Sequence, residues 1–165
     1  MLAGPHAAVG ALIGRTSRRA WLALPLAFAS HYALDALPHS YLSFREPGAL
    51  PLKAVIVAAD AVVGLALLLW IARRQMHWRL ILGSAFAATA LDLMNPVTSL
   101  GRRLGRTAGT AWLIRMHIRC AYHVPFGRQW LLSFGPSVVV LVLVALVAWL
   151  SGTRRACVRE ALENA

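Results

Sequence analysis

Hydrophobic positions in this 165-residue chain gather into long runs, and the basic residues fall in short groups beside them. Four runs, at 21–37, 50–72, 78–97 and 130–150, have the length a helix needs to cross a bilayer at 1.5 Å per residue. The third is closed by Asn95-Pro96, because proline lacks the N–H that continues a helical ladder and restrains the residue before it. The fourth carries no polar side chain from Val138 through Leu150 and is expected to be the most lipid-exposed. Trp21, Trp70, Trp78, Trp130 and Trp149, five of the six tryptophans, sit near run ends, where an indole keeps its ring in apolar surroundings and its N–H wet.

Two further segments complete the pattern. Residues 5–14 (PHAAVGALIG) are apolar but too short to cross, which predicts a half-helix or interfacial helix packed against the bundle. A cleaved signal peptide, imitated by Arg18/Arg19, the run from Trp21 and Ala27-Phe28-Ala29, is the weaker reading because the apolar run continues past Ala29. Residues 98–129 form the one long connection, with six arginines and two histidines. In its middle, Trp112, Arg115/Met116, Arg119 and Tyr122/His123 recur at steps of three or four, predicting an amphipathic helix along the membrane surface. The expected fold is therefore all-α: one integral-membrane domain over 1–165, a polytopic bundle of about four transmembrane helices with a short N-terminal helix and an amphipathic connecting helix.

Composition agrees. Hydrophobic residues make up 59% of the chain and charged ones 14%, too few charges to clothe a water-facing surface. The seventeen Lys+Arg against six Asp+Glu raise the question of nucleic acid, but groups such as Arg15/Arg18/Arg19 and Arg73/Arg74/Arg79 flank apolar runs, as lipid headgroups and insertion topology select. The expected partner is membrane lipid, with no nucleic acid, and the expected location is the bacterial inner (cytoplasmic) membrane. Basic residues split nine to eight between the two sides of a four-span arrangement, which leaves orientation open; weighting the shorter flanks puts both termini in the cytoplasm. Cys120 and Cys157 form neither a CxxC motif nor a disulfide framework.

The scarce acidic residues carry the chemistry. Asp35, Asp60 and Asp92 lie inside apolar runs, where an isolated carboxylate costs several kcal/mol, so each is a functional candidate. SHYALDALPHS spaces His31, Asp35 and His39 four apart. Adjacent members of that stripe can share one ion, but His31 and His39 would stand about 12 Å apart along an unbroken helix. Pro38 makes Leu37 a probable helix end, so His39 either turns back toward the site or leaves it. Two histidines and a carboxylate suit Zn²⁺ or Fe²⁺, zinc first, and an open fourth position would make the site catalytic. A buried pair that fastens two helices, or a proton or ion relay, are the competing readings.

In a four-span arrangement Asp92, Asn95, Asp60 and the connection bearing His117 and His123 all reach the leaflet of His31 and Asp35. Asp92 and Asn95 are candidates for ligand and supporting partner, or Asn95 caps the break at Pro96. Asp60, among small residues, could ligate, orient a histidine or receive a proton. His6, His117 and His123 are further candidate ligands, whereas His77, beside Arg74, Trp78 and Arg79, reads as a headgroup contact on the other side.

GPHAAVGALIG, ASHYALDALPHS, LDLMNPV and RMHIRCAYHV together resemble the family of small integral-membrane proteins described as membrane-bound metal-dependent hydrolases. The resemblance runs from His6 to about Val124, and SHxxLDxxPH is its most specific part. It implies a divalent metal, a hydrolysed bond, and metal-site positions at His6, His31, Asp35, His39, Asp92 and His117 or His123. LDLMNPV departs from the family pattern, which argues against a second metal. On this reading Asp35 or Asp92 accepts the proton of an attacking, metal-activated water. Arg115 and Arg119, i and i+4 on one helix face, would hold a phosphate or lipid headgroup, favouring a phosphoester substrate. No GxSxG, GxxxxGK[ST] or GxGxxG motif occurs. The rival functions are a metal-ion or proton transporter, particularly as a homo-oligomer, and a non-catalytic structural membrane subunit.

Overall fold

A computed structural model describes residues 2–40, 50–73, 75–93, 103, 108–121, 123–124 and 130–163. The elements within them are six helices: α1 (Ala3–Ser17), α2 (Ala20–Asp35), α3 (Leu50–Ala72), α4 (Trp78–Leu93), α5 (Ala108–Cys120) and α6 (Trp130–Glu163). Two short strands, β1 (His39–Ser40) and β2 (His123–Val124), pair in parallel with His39 opposite His123. The all-helical expectation holds, with this two-residue pairing as the sole addition among the described residues.

The short N-terminal segment does pack against the bundle, but at its centre. α1 touches α2, α3, α4 and α6, and buries Gly4, Pro5, His6, Ala8, Gly10, Ala11 and Gly14. Side-chain size is the cause. A Cβ at Gly10 would lie 2.5 Å from the Ser84 carbonyl oxygen and 2.7 Å from the Ala88 Cβ, so the α1 and α4 backbones meet where only glycine fits. Close backbone approach of this kind is how helices associate where apolar surroundings supply no hydrophobic drive between them. Pro5 is tolerated because the first turn of a helix has no internal acceptor for its N–H groups. The helix ends at Arg18, whose left-handed backbone (φ 52°) turns the chain into α2.

Two helices, through Ala54–Ala72 of α3 and Phe134–Gly152 of α6, are long and apolar enough to cross a membrane. Only 17% of each segment is buried, so neither is a core helix. The other two expected spans are represented by α2 and α4, sixteen residues each. Sixteen residues rise about 24 Å, short of a hydrocarbon core of about 30 Å. α2 stops at Asp35, where the Leu37 N–H bonds the Leu34 carbonyl in a tighter turn ahead of Pro38. The remainder of the expected third span, including Asn95 and Pro96, lies outside the described residues.

The distribution of polarity is inverted relative to a water-soluble globule. Val55, Val62, Leu65 and Leu69 of α3 and Val138, Val142 and Leu146 of α6 are exposed, whereas His6, His31, Asp35 and Ser84 are among the most completely buried side chains. An apolar cluster of Ala8, Ala11, Ile71, Ile81, Ala85, Val144 and Ala148 fills the interior. Beyond it Arg15 Nη1 donates to the Ala148 carbonyl at 3.1 Å, tying the last turn of α1 to α6.

Candidate metal centre

Five elements deliver side chains to one point. His6 comes from the start of α1, His31 and Asp35 from the last turns of α2, Asp92 from the end of α4, His117 from the last turn of α5, and His39 from β1. Asp35 is the hub. Its Oδ1 lies 3.2 Å from His6 Nε2 and 3.9 Å from His39 Nε2. Its Oδ2 lies 3.2 Å from His31 Nε2 and 3.1 Å from His117 Nδ1. Asp92 Oδ1 stands 3.8 Å from the same His31 nitrogen. The turn after α2 therefore keeps His39 within reach of Asp35, as their spacing of four would in a continuous helix.

The orientation of two rings is set by backbone carbonyls. His31 Nδ1 donates to the Ala88 carbonyl of α4 at 2.7 Å, and His39 Nδ1 donates to the Leu37 carbonyl at 2.8 Å. A carbonyl only accepts, so Nδ1 carries the proton in each. With the rings neutral, their Nε2 lone pairs face carboxylate oxygens, an arrangement that a cation standing among them would relieve. Protonating every ring is a poor remedy. His6 and His31 are stacked with centroids 4.0 Å apart and planes at 19°. Two unit charges at about 4 Å repel by roughly 4 kcal/mol at an effective dielectric constant of 20.

His6 Nδ1 and Nε2, His31 Nε2, His117 Nδ1 and Asp92 Oδ2 are buried with no hydrogen-bond partner among the described residues. Donor atoms of His6, His31 and Asp92, and separately of His31, Asp35 and His117, all lie within 4.8 Å of one another. Ligands of one ion at 2.0–2.2 Å stand no more than about 4.4 Å apart, so donors gathered this closely could share one ion. Nitrogen and carboxylate donors with second ring nitrogens fixed by carbonyls are the usual furnishing of a zinc or iron site. A buried His/Asp cluster compatible with a divalent metal is therefore present.

The site is closed on one side and open on the other. His6, His31, Asp35 and His39 are almost fully buried, whereas the side chains of His117 and Asp92 retain 15% and 34% of their exposure. Access lies between these two.

Other expected residues fall elsewhere. Asp60 Oδ2 accepts the Gly4 N–H at 2.8 Å, which caps the α1 N-terminus, where Leu2 offers no side-chain cap. It belongs to neither donor trio, and supports the site by holding the turn that carries His6. Arg115 and Arg119 are both exposed, each two residues from His117. Two residues turn a helix by about 200°, so they occupy the face of α5 away from the histidine. His77 is exposed near the start of α4, away from the cluster. His123 pairs through its backbone with His39; its side chain, like all of Asn95, lies outside the described residues.

The supporting acceptors, the carbonyls of Ala88 and Leu37, are backbone groups with no signature in sequence. The Gly10-Gly14 spacing that seats α1 against α4 was visible in principle, as a small-residue pair four apart. No family model, curated protein or solved structure matches the chain.

Proposed function

We propose that this chain is a membrane-embedded metal-dependent hydrolase acting on a phosphoester or lipid-like substrate at the membrane surface. The observation that carries the reading is the buried convergence of His6, His31, His117, Asp35 and Asp92, which offers two trios of nitrogen and carboxylate donors within 4.8 Å of one another. Zinc is the proposed ion, because histidine and carboxylate donors in a compact trio suit it. The exposed apolar faces of α3 and α6 support embedding, and the resemblance of SHYALDALPHS and its companion motifs to membrane-bound metal-dependent hydrolases supports the reaction class. The proposed setting is the bacterial inner membrane.

A bound divalent ion would supply Lewis acidity to polarise a phosphoryl or carbonyl oxygen and to activate water. The protein's own part is to hold and orient. His6, His31, Asp35 and His39 fix the closed side of the site, and His117 stands with Asp92 at its open side. Asp92, the most exposed carboxylate of the cluster, is placed to take a proton from attacking water. The carbonyls of Ala88 and Leu37 keep the His31 and His39 rings from turning. Arg115 and Arg119, on the outer face of α5, would meet lipid headgroups. A carrier would need polar groups on both sides of the barrier, whereas here the cluster sits at one end with apolar Ala8, Ala11, Ile81 and Ala85 beyond it.

Purification in detergent without chelators, metal analysis, and assay of phosphoester hydrolysis in lipid vesicles test the proposal. Retained zinc, turnover abolished by chelation and restored by zinc, and loss of both metal and turnover in Asp35→Ala are expected. Turnover indifferent to chelation and to Asp35→Ala, or a metal-free wild type without turnover, contradicts it.

A further inference from the structure

A cavity of about 320 Å³ lies between the first turns of α1, the middle of α3 and the end of α4. Ala61, Gly64, Leu65 and Leu68 form its α3 wall, and Thr89 and Asp92 its α4 wall. Among its lining residues Asp92 is the one ionisable group, and this residue also belongs to the His/Asp cluster, with Oδ1 3.8 Å from His31 Nε2. The other end meets the outside of the protein: Ala61 and Leu65 are exposed and continuous with the outward apolar residues Val62 and Leu69 of α3.

We propose that this cavity receives one alkyl chain of a membrane lipid, entering sideways between α1 and α3 and presenting its polar end to Asp92 and His31. The inference rests on the hydrolase reading for the meaning of that polar end, and names the substrate class as a lipid with at least one unbranched chain.

Three features select this occupant. Apart from Asp92 and Thr89, whose hydroxyl already donates to the Ala85 and Phe86 carbonyls of its own helix, the walls are small or apolar, so a chain loses no hydrogen bonds on entering. The volume corresponds to about ten units the size of a water molecule or a methylene, which suits one chain segment. The mouth opens on the α3 face that carries the exposed apolar residues, so a lipid chain arrives without crossing water. Coming from lipid, the chain gains little hydrophobic free energy; it gains contact with the walls and a fixed position for its head beside the metal ligands. Gly64 and Gly4 make the constriction below it, where a Cβ on Gly64 would stand 2.7 Å from the Gly4 Cα.

The full chain in phosphatidylcholine/phosphatidylglycerol nanodiscs, irradiated with dodecyl phosphate bearing a diazirine near the chain end, tests this directly. Labelling should concentrate on Leu65, Leu68 and Thr89, fall about tenfold with excess unlabelled dodecyl phosphate, and persist with butyl phosphate. Ala61→Phe, which fills the mouth from an exposed position, should lower labelling by about the same factor while metal content is kept. The wild-type labelling map decides the matter even if that variant folds poorly. Labelling of the outward α6 residues Val138 and Val142 as strong as that of Leu68, or labelling unaffected by Ala61→Phe, overturns the proposal. Concentrated labelling without any phosphoester turnover removes the hydrolase reading and leaves the chain site standing. Turnover with scattered labelling does the reverse.

Discussion

α1 and α6 divide the work of this fold in a way that hydrophobicity alone would assign backwards. α6 is the longer and carries the longer apolar run, yet most of its described valines and leucines face outward and no described residue of it enters the His/Asp cluster. α1 is fifteen residues with three buried glycines and a histidine, and it stands at the centre in contact with four other helices. On the membrane-embedded reading proposed above, a leucine gains little by turning inward, so position is decided by how closely backbones can approach and by which polar groups need one another. Small residues and His6 draw α1 inside; large apolar side chains leave α6 at the rim.

Substitutions sharpen or break this contrast. The largest expected effect is at the rim. Val142→Arg places a charge on the outward face of α6 and should cost about 3 kcal/mol on membrane insertion. Membrane fractionation would show the variant largely outside the bilayer, whereas a water-facing α6 would tolerate it. At the centre, Gly10→Leu forces side-chain atoms against the Ser84 carbonyl and Ala88, and should destabilise by about 1–3 kcal/mol or more. Because Ala88 also orients His31, metal retention should fall with it; thermal unfolding and metal analysis report both. Gly135→Ala, on α6 with nothing within 4 Å of a new Cβ, is the contrasting control and should keep metal content unchanged and stability equal or higher by up to about 1 kcal/mol.

Smaller effects follow at the two ends of α1. Asp60→Ala removes the cap on the turn that bears His6, costing about 1 kcal/mol and weakening metal affinity, with partial rescue by Asp60→Asn, whose amide oxygen still accepts. Equal loss in both variants would mean that Asp60 acts through its charge on the ion. Arg18→Gly relieves a left-handed backbone at φ 52° and should raise thermal stability by about 1 kcal/mol without changing metal content.

Much of the site could be read from the chain because its residues are costly where they stand. His31, Asp35 and Asp92 are conspicuous in apolar runs, and the turn at Pro38 announced that His39 need not follow the helix axis. The end of the bundle at which these groups gather follows from counting along the runs. What could not be read depends on contacts between distant segments. Asp60 looks like another site carboxylate until Gly4, fifty-six residues away, is seen to donate to it. Arg115 and Arg119 share a helix face by spacing, but spacing does not say that His117, between them, is the residue turned inward. The central place of α1 was hidden for a similar reason: a short apolar run is too brief to cross, and its glycines reveal a purpose only when α4 lies against them.

X-ray absorption at the metal edge of protein purified without chelators tests the central claim most directly. The account predicts a first shell of nitrogen and oxygen at about 2.0–2.2 Å with the outer-shell scattering of at least two imidazoles, lost in Asp35→Ala. A shell containing sulfur at about 2.3 Å, or a chain that retains no metal while remaining folded in the membrane, would contradict it.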